Sequence, residues 1–395
     1  MKYPSITELV LRDGQQSLIA TRMRLSDITP ILSKLDNVGF SSLEMWGGAT
    51  YDCCLRFLNE DPWERLKVIK SNIKNTQLQM LLRGKNLVGY KKYDETVIDL
   101  FINKSSENGI DIFRIFDALN DINNIVYSIE CANKYNANSQ GTISYTTSPV
   151  HNEKYWLKLA KDIEDAGAKS LGIKDMAGLL KPKTAYNLIK KLKRNLNIPI
   201  HLHTHATTGL SDATNFKAYE AGVDNIDTSI SSFSNLYAHT ATESLISMIY
   251  DGNDNPFNMN ELAEISDYFQ NIRNKYSQYE GSMKGVDIKM LINQVPGGML
   301  SILEKQLLDL NKLDKLDDLV TEIPRIRKDI GYIPLVTPTS QIIGAQALLN
   351  VLDNERYKNL NEEFIDLVRG DYGKIPGDVD EALLKIVDSK YHDQT

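Results

Sequence analysis

The sequence predicts an α/β fold: a (β/α)₈ barrel, of the TIM-barrel kind, with a C-terminal helical extension. Three observations lead there. Eight short apolar runs alternate with longer stretches of helical spacing in about 250 residues, the size of such a barrel. The competing doubly wound sheet more often carries a Gly-x-Gly-x-x-Gly phosphate loop after its first strand, and that loop is absent. Beyond Asp251 the strand signals fade, and helical runs such as 261–276 and 300–313 take over.

The alternation runs in order. Strand 6–11 is followed by a helix over 26–35, with Ser26 as its N-cap. Strand 42–46 precedes a helix near 62–73, and strand 79–82 a helix over 94–102. Strand 112–116 leads to a helix from about Asp121, and strand 141–145 to one over 152–166. Strand 170–173 precedes a helix from Pro182, strand 200–204 one over 211–221, and strand 225–228 one over 240–250. A boundary is expected near 255–265, giving a barrel over 1–260 and a helical domain over 261–395. The polar stretch from Ile375 reads as a frayed end or linker.

Composition narrows the function. A net charge of −7 argues against a general nucleic-acid or acidic-membrane surface. Cys53, Cys54 and Cys131 form neither a disulfide framework nor a metal-ligand spacing. There is no apolar signal core at the N-terminus and no apolar run of about 18 residues. A cytoplasmic protein is expected, with a peripheral membrane partner still open.

The stretch 199–209 carries three of the chain's six histidines: His201, His203 and His205. At a spacing of two in a strand they share one face, with neighbours about 6–7 Å apart. A tetrahedral metal with nitrogen ligands at about 2.0–2.1 Å accepts two such neighbours but hardly three. His203 and His205, next to the loop, are the better ligands, and His201 lies deeper. Barrel sites form at the C-terminal ends of strands. Strand one ends there with Asp13, a hard oxygen donor, flanked by Arg12 and Gln16. Strand two brings Asp52, able to orient a cation. Strand three brings Arg83, whose planar fork suits a carboxylate, with Tyr90 soon after. Arg114 and Asp117 end strand four as structural partners. Lys174 ends strand six after an apolar run, and its chemistry leaves three readings open: a Schiff-base lysine, a cation paired with Asp175 or Asp13, or a carbamate that ligates a metal.

Several motifs occur together: Leu11-Arg12-Asp13-Gly14-Gln15-Gln16-Ser17, Trp46-Gly47-Gly48-Ala49-Thr50, Leu81-Leu82-Arg83-Gly84 and Lys174-Asp175-Met176-Ala177-Gly178. The histidine stretch, Gln294-Val295-Pro296-Gly297-Gly298-Met299 and Val336-Thr337-Pro338-Thr339-Ser340-Gln341 complete the series. In this order they resemble the biotin-dependent pyruvate and oxaloacetate carboxyltransferases. The stretch 144–149 together with 336–341 looks most like the oxaloacetate decarboxylase α type; the carboxyltransferase subunit of pyruvate carboxylase and the transcarboxylase subunit are the alternatives.

The resemblance implies a divalent metal, zinc first with manganese or cobalt as alternatives, on Asp13, His203, His205 and a carbamylated Lys174. It implies that Arg12, Gln16 and Arg83 bind the keto acid and its enolate, that Asp52 and Tyr90 support that pocket, and that Thr337 moves a proton between pyruvate and biotin. It also implies a homodimer, with membrane decarboxylase subunits or a biotin carboxylase subunit as partners. The sequence has no Ala-Met-Lys-Met biotinylation site, and Met283-Lys284 and Lys289-Met290 read as helical. Biotin is therefore expected in trans, on a biotin carboxyl carrier. Two departures stand out: Gly14-Gln15 where the family often has Ala-His, and the loop 231–239 after strand eight. Metal-dependent aldol or Claisen-type lyases and synthases share the Arg-Asp-Gly and His-x-His pattern and form a more distant alternative. A non-catalytic scaffold subunit is the remaining one.

Overall fold

The computed structural model describes residues 2–392 except Asp251 and Asp287. Its centre is a closed barrel of eight parallel strands in sequential order. They are β1 (Ser5–Glu8), β2 (Ser42–Trp46), β3 (Gln77–Leu82), β4 (Ile112–Phe116), β5 (Asn138–Ser144), β6 (Ser170–Asp175), β7 (Ile200–Thr204) and β8 (Asn225–Thr228). β8 returns to β1, pairing Ile226 with Ile6. Parallel strands covered by helices bury both faces, and β2, β4, β6 and β8 are buried at every residue.

The helices show why the longer runs read as they do. Glu153–Asp165 buries Trp156, Leu159, Ala160 and Ile163 at three- and four-residue spacing. Pro182–Asn195 opens on a proline, which helix starts favour, and buries Ala185, Leu188, Ile189 and Leu192. Capping carboxylates and amides open others: Asp61 accepts from Trp63 N at 2.8 Å, and Asn152 from Tyr155 N at 3.0 Å.

Four features differ from the sequence reading. β1 ends at Glu8 rather than running to Leu11, because the Glu8 carboxyl captures the Val10 amide at 2.9 Å and the chain winds into a wide turn over Val10–Gly14. That turn is what lifts Arg12 and Asp13 over the barrel mouth. Helix Met259–Lys275 falls in the stretch assigned to the C-terminal domain, yet it buries Leu262, Ile265, Phe269 and Ile272 in the barrel's own core. The expected frayed end holds helix Glu381–His392, in which Leu383 and Val387 are buried against the C-terminal core; residues 393–395 lie outside the described ones. Met283-Lys284 is irregular rather than helical, whereas Lys289-Met290 does lie in a helix, Ile288–Asn293.

A second apolar core runs from Val295 to Val387 through Leu303, Leu319, Ile323, Ile343 and Phe364, and includes Leu119 from the barrel. The two parts are joined at Arg327, which donates to Thr146 Oγ1 at 2.7 Å and the Thr147 carbonyl at 3.1 Å on the loop after β5. No helix among the described residues is long and apolar enough to cross a membrane.

Candidate active site

At the C-terminal mouth of the barrel lies a cavity of about 370 Å³, roofed by the C-terminal helices. Asp13, Gln16, Arg83, Tyr90 and His205 line it from the barrel side, and Thr337 from the other. Two adjacent glycines make this packing possible. A Cβ on Gly48 would collide with the Arg83 guanidinium, and one on Gly47 would press on Arg12 Cδ at 3.2 Å.

Below the cavity floor is a buried ionic network. Arg12 donates to Glu44 at 2.5 Å through Nε, to Gln16 at 3.2 Å, and lies 3.0 Å from Asp13 Oδ2. Arg114 spans Gln140, Glu44 and both oxygens of Asp227. Burial disfavours the charge on each acid. The Arg12 guanidinium nevertheless holds Asp13 well below the usual carboxylate range, Arg12 and Arg114 lower Glu44, and Arg114 lowers Asp227. All three acids are ionised at neutral pH.

Around Asp13 the imidazoles converge. Nε2 of His203, His205 and His239 lies 3.1, 3.3 and 3.0 Å from Asp13 Oδ2. The four residues are buried, and their donor atoms all lie within 4.8 Å of one another. Ligands 2.0–2.1 Å from a tetrahedral ion stand about 3.3 Å apart, close to the distance of each ring nitrogen from Asp13 Oδ2. The second nitrogens support a metal site. His203 Nδ1 faces Asp227 at 2.8 Å and His205 Nδ1 faces the Tyr237 carbonyl at 2.7 Å. A proton on each Nδ1 leaves the Nε2 lone pair turned inward, the arrangement of metal-ligating histidines. Nε2 of His203 and of His205 is buried with no hydrogen-bond partner. These residues fit a divalent cation.

The other predicted residues are placed as follows. Lys174 ends β6 level with His203, fully buried, with Nζ against Met176 Sδ and 5.4 Å from the Phe116 ring centre. Burial lowers its amine to about 8. Lys174 is not paired with Asp175, whose carboxylate accepts from Leu179 N, Leu180 N and Thr204 Oγ1, each at 2.8 Å. Arg83 donates to the Gly89 carbonyl at 2.9 Å and lies over the Tyr90 ring. His201 stays outside the cluster, and burial lowers it to about 4. Asp52 ion-pairs with Arg56 one helical turn away at 2.8 Å and lies outside the cavity lining, and its charge acts on the Arg83 guanidinium. The sequence does not single out His239. It lies in a loop, where no spacing links it to the β7 pair.

Two protein-family models match, one described as HMGL-like over residues 4–268 and one as a conserved carboxylase domain over 290–394. A pyruvate carboxylase subunit of Methanocaldococcus jannaschii is 51% identical over 97% of this chain and 68% of its own length. The chain belongs to the biotin-dependent carboxyltransferase family. The 5S subunit of methylmalonyl-CoA carboxyltransferase from Propionibacterium freudenreichii is 47% identical, with 98% of this chain and 76% of that protein covered. The carboxyl transferase domain of Rhizobium etli pyruvate carboxylase, solved with pyruvate and biocytin, superposes at a TM-score of 0.94. It is 36% identical and covers 98% of this chain and 68% of that one. These relatives are pyruvate carboxylase and transcarboxylase carboxyltransferases, so that alternative displaces the first expectation, oxaloacetate decarboxylase α, as the better reading.

Proposed function

We propose that this carboxyltransferase passes a carboxyl group from carboxybiotin to pyruvate, as the carboxyltransferase subunit of a pyruvate carboxylase does, with the transcarboxylase role as the second reading. The observation that carries the proposal is the meeting, in one cavity, of Gln16 and Arg83 beside the Asp13–histidine cluster with Thr337 from the opposite wall. Arg12, Gln16 and Arg83 bind the keto acid and stabilise the charge that develops as its methyl group loses a proton. Thr337 moves that proton between the pyruvate methyl and the biotin ureido nitrogen. Tyr90 and the Asp52 carboxylate support Arg83. Release of CO₂ next to the enolate replaces a bimolecular encounter, and the roof excludes water. Run in reverse, the same steps decarboxylate oxaloacetate.

Asp13, His203 and His205 would hold a divalent metal, zinc first, which supplies electrostatic stabilisation of the developing negative charge. Lys174 as a carbamate is the further ligand the family resemblance implies. Biotin arrives on a carrier domain or subunit charged by a biotin carboxylase, and the chain works as a homodimer.

The test is oxaloacetate decarboxylation by the purified chain with and without free biotin, alongside pyruvate carboxylation with a carboxylated carrier. Biotin-stimulated turnover is expected, Lys174→Ala should abolish it while circular dichroism is unchanged, and intact mass should show +44 on Lys174. No biotin response in either assay would overturn the proposal.

A further inference from the structure

A second joint between the barrel and the helical domain lies beside Arg83. The loop after β4 turns on Asp117, whose carboxylate accepts from Leu119 N and Asp121 N, each at 3.0 Å. The loop carries Leu119 into the C-terminal core and ends at Asn124, which is 5% exposed. A side-chain amide has two N–H donors, and Asn124 uses both. Its Nδ2 donates to Asp117 Oδ1 at 3.1 Å and to the Tyr372 carbonyl at 2.8 Å. One side chain thus ties the end of a barrel strand to a segment packed on the C-terminal core. Lys374 N donates to Asp121 Oδ2 at 2.9 Å, so the segment 372–374 grips the loop at two points. Glycine is required between them, because a Cβ on Gly373 would meet Asn124 Nδ2 at 2.6 Å.

The main chain of Asn124 faces the turn that follows Arg83. A Cβ on Gly84 would collide with the Asn124 carbonyl oxygen and lie 3.2 Å from Ile125 Cγ2. Gly84 is left-handed, with φ +41°, and opens the short helix Gly84–Asn86. That helix reverses the chain. Arg83 N then donates to the Leu87 carbonyl at 2.9 Å, and the Arg83 guanidinium to the Gly89 carbonyl at 2.9 Å. The guanidinium is aimed by a turn, the turn is seated on Asn124, and Asn124 is held by Asp117 and Tyr372.

We infer that Asn124 is the positioning residue through which the helical domain fixes the Arg83 turn, and so sets the affinity for the keto acid. The inference rests on the proposed role of Arg83 in binding that acid. Asn124 is not part of the cavity lining, so it acts through Arg83 rather than on the substrate.

Two variants of the whole chain test this from opposite sides. Asn124→Ala removes the amide; Gly373→Ala pushes on it and leaves it in place. Thermal melts identify folded protein, and if Asn124→Ala does not fold, Gly373→Ala carries the test. Amide hydrogen exchange over residues 84–89 should speed up in both variants, with exchange in β7 unchanged. With free biotin present, kcat/KM for oxaloacetate should fall by ~10–100-fold, the scale of a misplacement near 1 Å. The KM for biotin should hold within about twofold, because only the keto-acid contacts are lost. Calorimetric binding of oxamate, an unreactive isostere of pyruvate, should weaken in parallel. Unchanged exchange at 84–89 would overturn the inference. A biotin KM that rises as far as that of oxaloacetate would overturn it too, since general damage has that effect. If the unaltered chain neither binds oxamate nor responds to biotin, the proposed function falls, and exchange alone then decides whether Asn124 holds the turn.

Discussion

On the barrel side of the cavity stand Asp13, Gln16, Arg83 and His205; on the helical side stand Gly297, Met299, Leu303, Val336 and Thr337. The first wall is charged, and each group is gripped by a neighbour: Arg12 by Glu44, His203 by Asp227, Asp227 by Arg114. The second wall is less charged, with Gln306, Ser340 and Gln341 beside Thr337, and is backed by a core of Leu303, Leu319 and Ile343. Fixed charge needs rigid, hydrogen-bonded support, and strand ends provide it. A cover needs no fixed charge, and a hydroxyl on it can carry a proton. Under the proposed function, the contrast assigns binding and charge stabilisation to the barrel, and proton transfer and exclusion of water to the helical wall.

Thr337 is where this contrast breaks most directly. Thr337→Ala should lower turnover in pyruvate carboxylation by roughly 10²–10⁴-fold, the range of positioned proton-transfer groups, with metal content unchanged by elemental analysis. An unaltered rate would reduce the helical wall to a passive lid. The joint between the walls comes next. Arg327 donates to Ile333, Gln294, Thr146 and Thr147. Arg327→Met removes the cation and leaves buried carbonyls unpaired, so the urea midpoint should fall by the equivalent of about 2–3 kcal/mol. A shift within error would mean that apolar contacts alone hold the roof.

On the charged wall, Asp227→Asn weakens the hold on His203 Nδ1. Metal affinity should drop ~10–100-fold in chelator competition, and equal affinity would make the network beneath the cluster irrelevant to it. The smallest effect concerns pH. Burial, then the Arg327 cation, hold His151 at about 3, against an ordinary value of 6.5. Below 6.5 the unfolded chain takes up the proton and the folded chain does not, so this group's share of stability is lost as pH falls from 6.5 toward 3. His151→Phe should flatten the denaturation midpoint over that window, by about 1–2 kcal/mol at about pH 5. Parallel curves would assign acid sensitivity to the barrel wall instead.

Much of this was legible in the residues. Strand–helix alternation identified the barrel because each run buries against its neighbours at its own period. His203 and His205 could be paired from their spacing, since alternate residues of one strand must share a face. Asp13 was readable from its place after the first apolar run. Asp52 was readable as support for the pocket, but its pairing with Arg56, four residues on, became visible only once the two shared a helix face. The tail from Ile375 looked polar, although Leu383 and Val387 sit four apart and find a core contributed by distant helices.

By itself the sequence determined the order of elements and the histidine pair at the end of β7, because periodicity and local spacing carry that information, and its motifs resemble those of biotin-dependent carboxyltransferases. Tertiary structure alone decided that His239, 34 residues beyond His205, turns back onto Asp13, and that Thr337 lines the same cavity as Arg83. Both depend on contacts across the chain between loops, and no local repeat encodes where a loop residue will meet its partner.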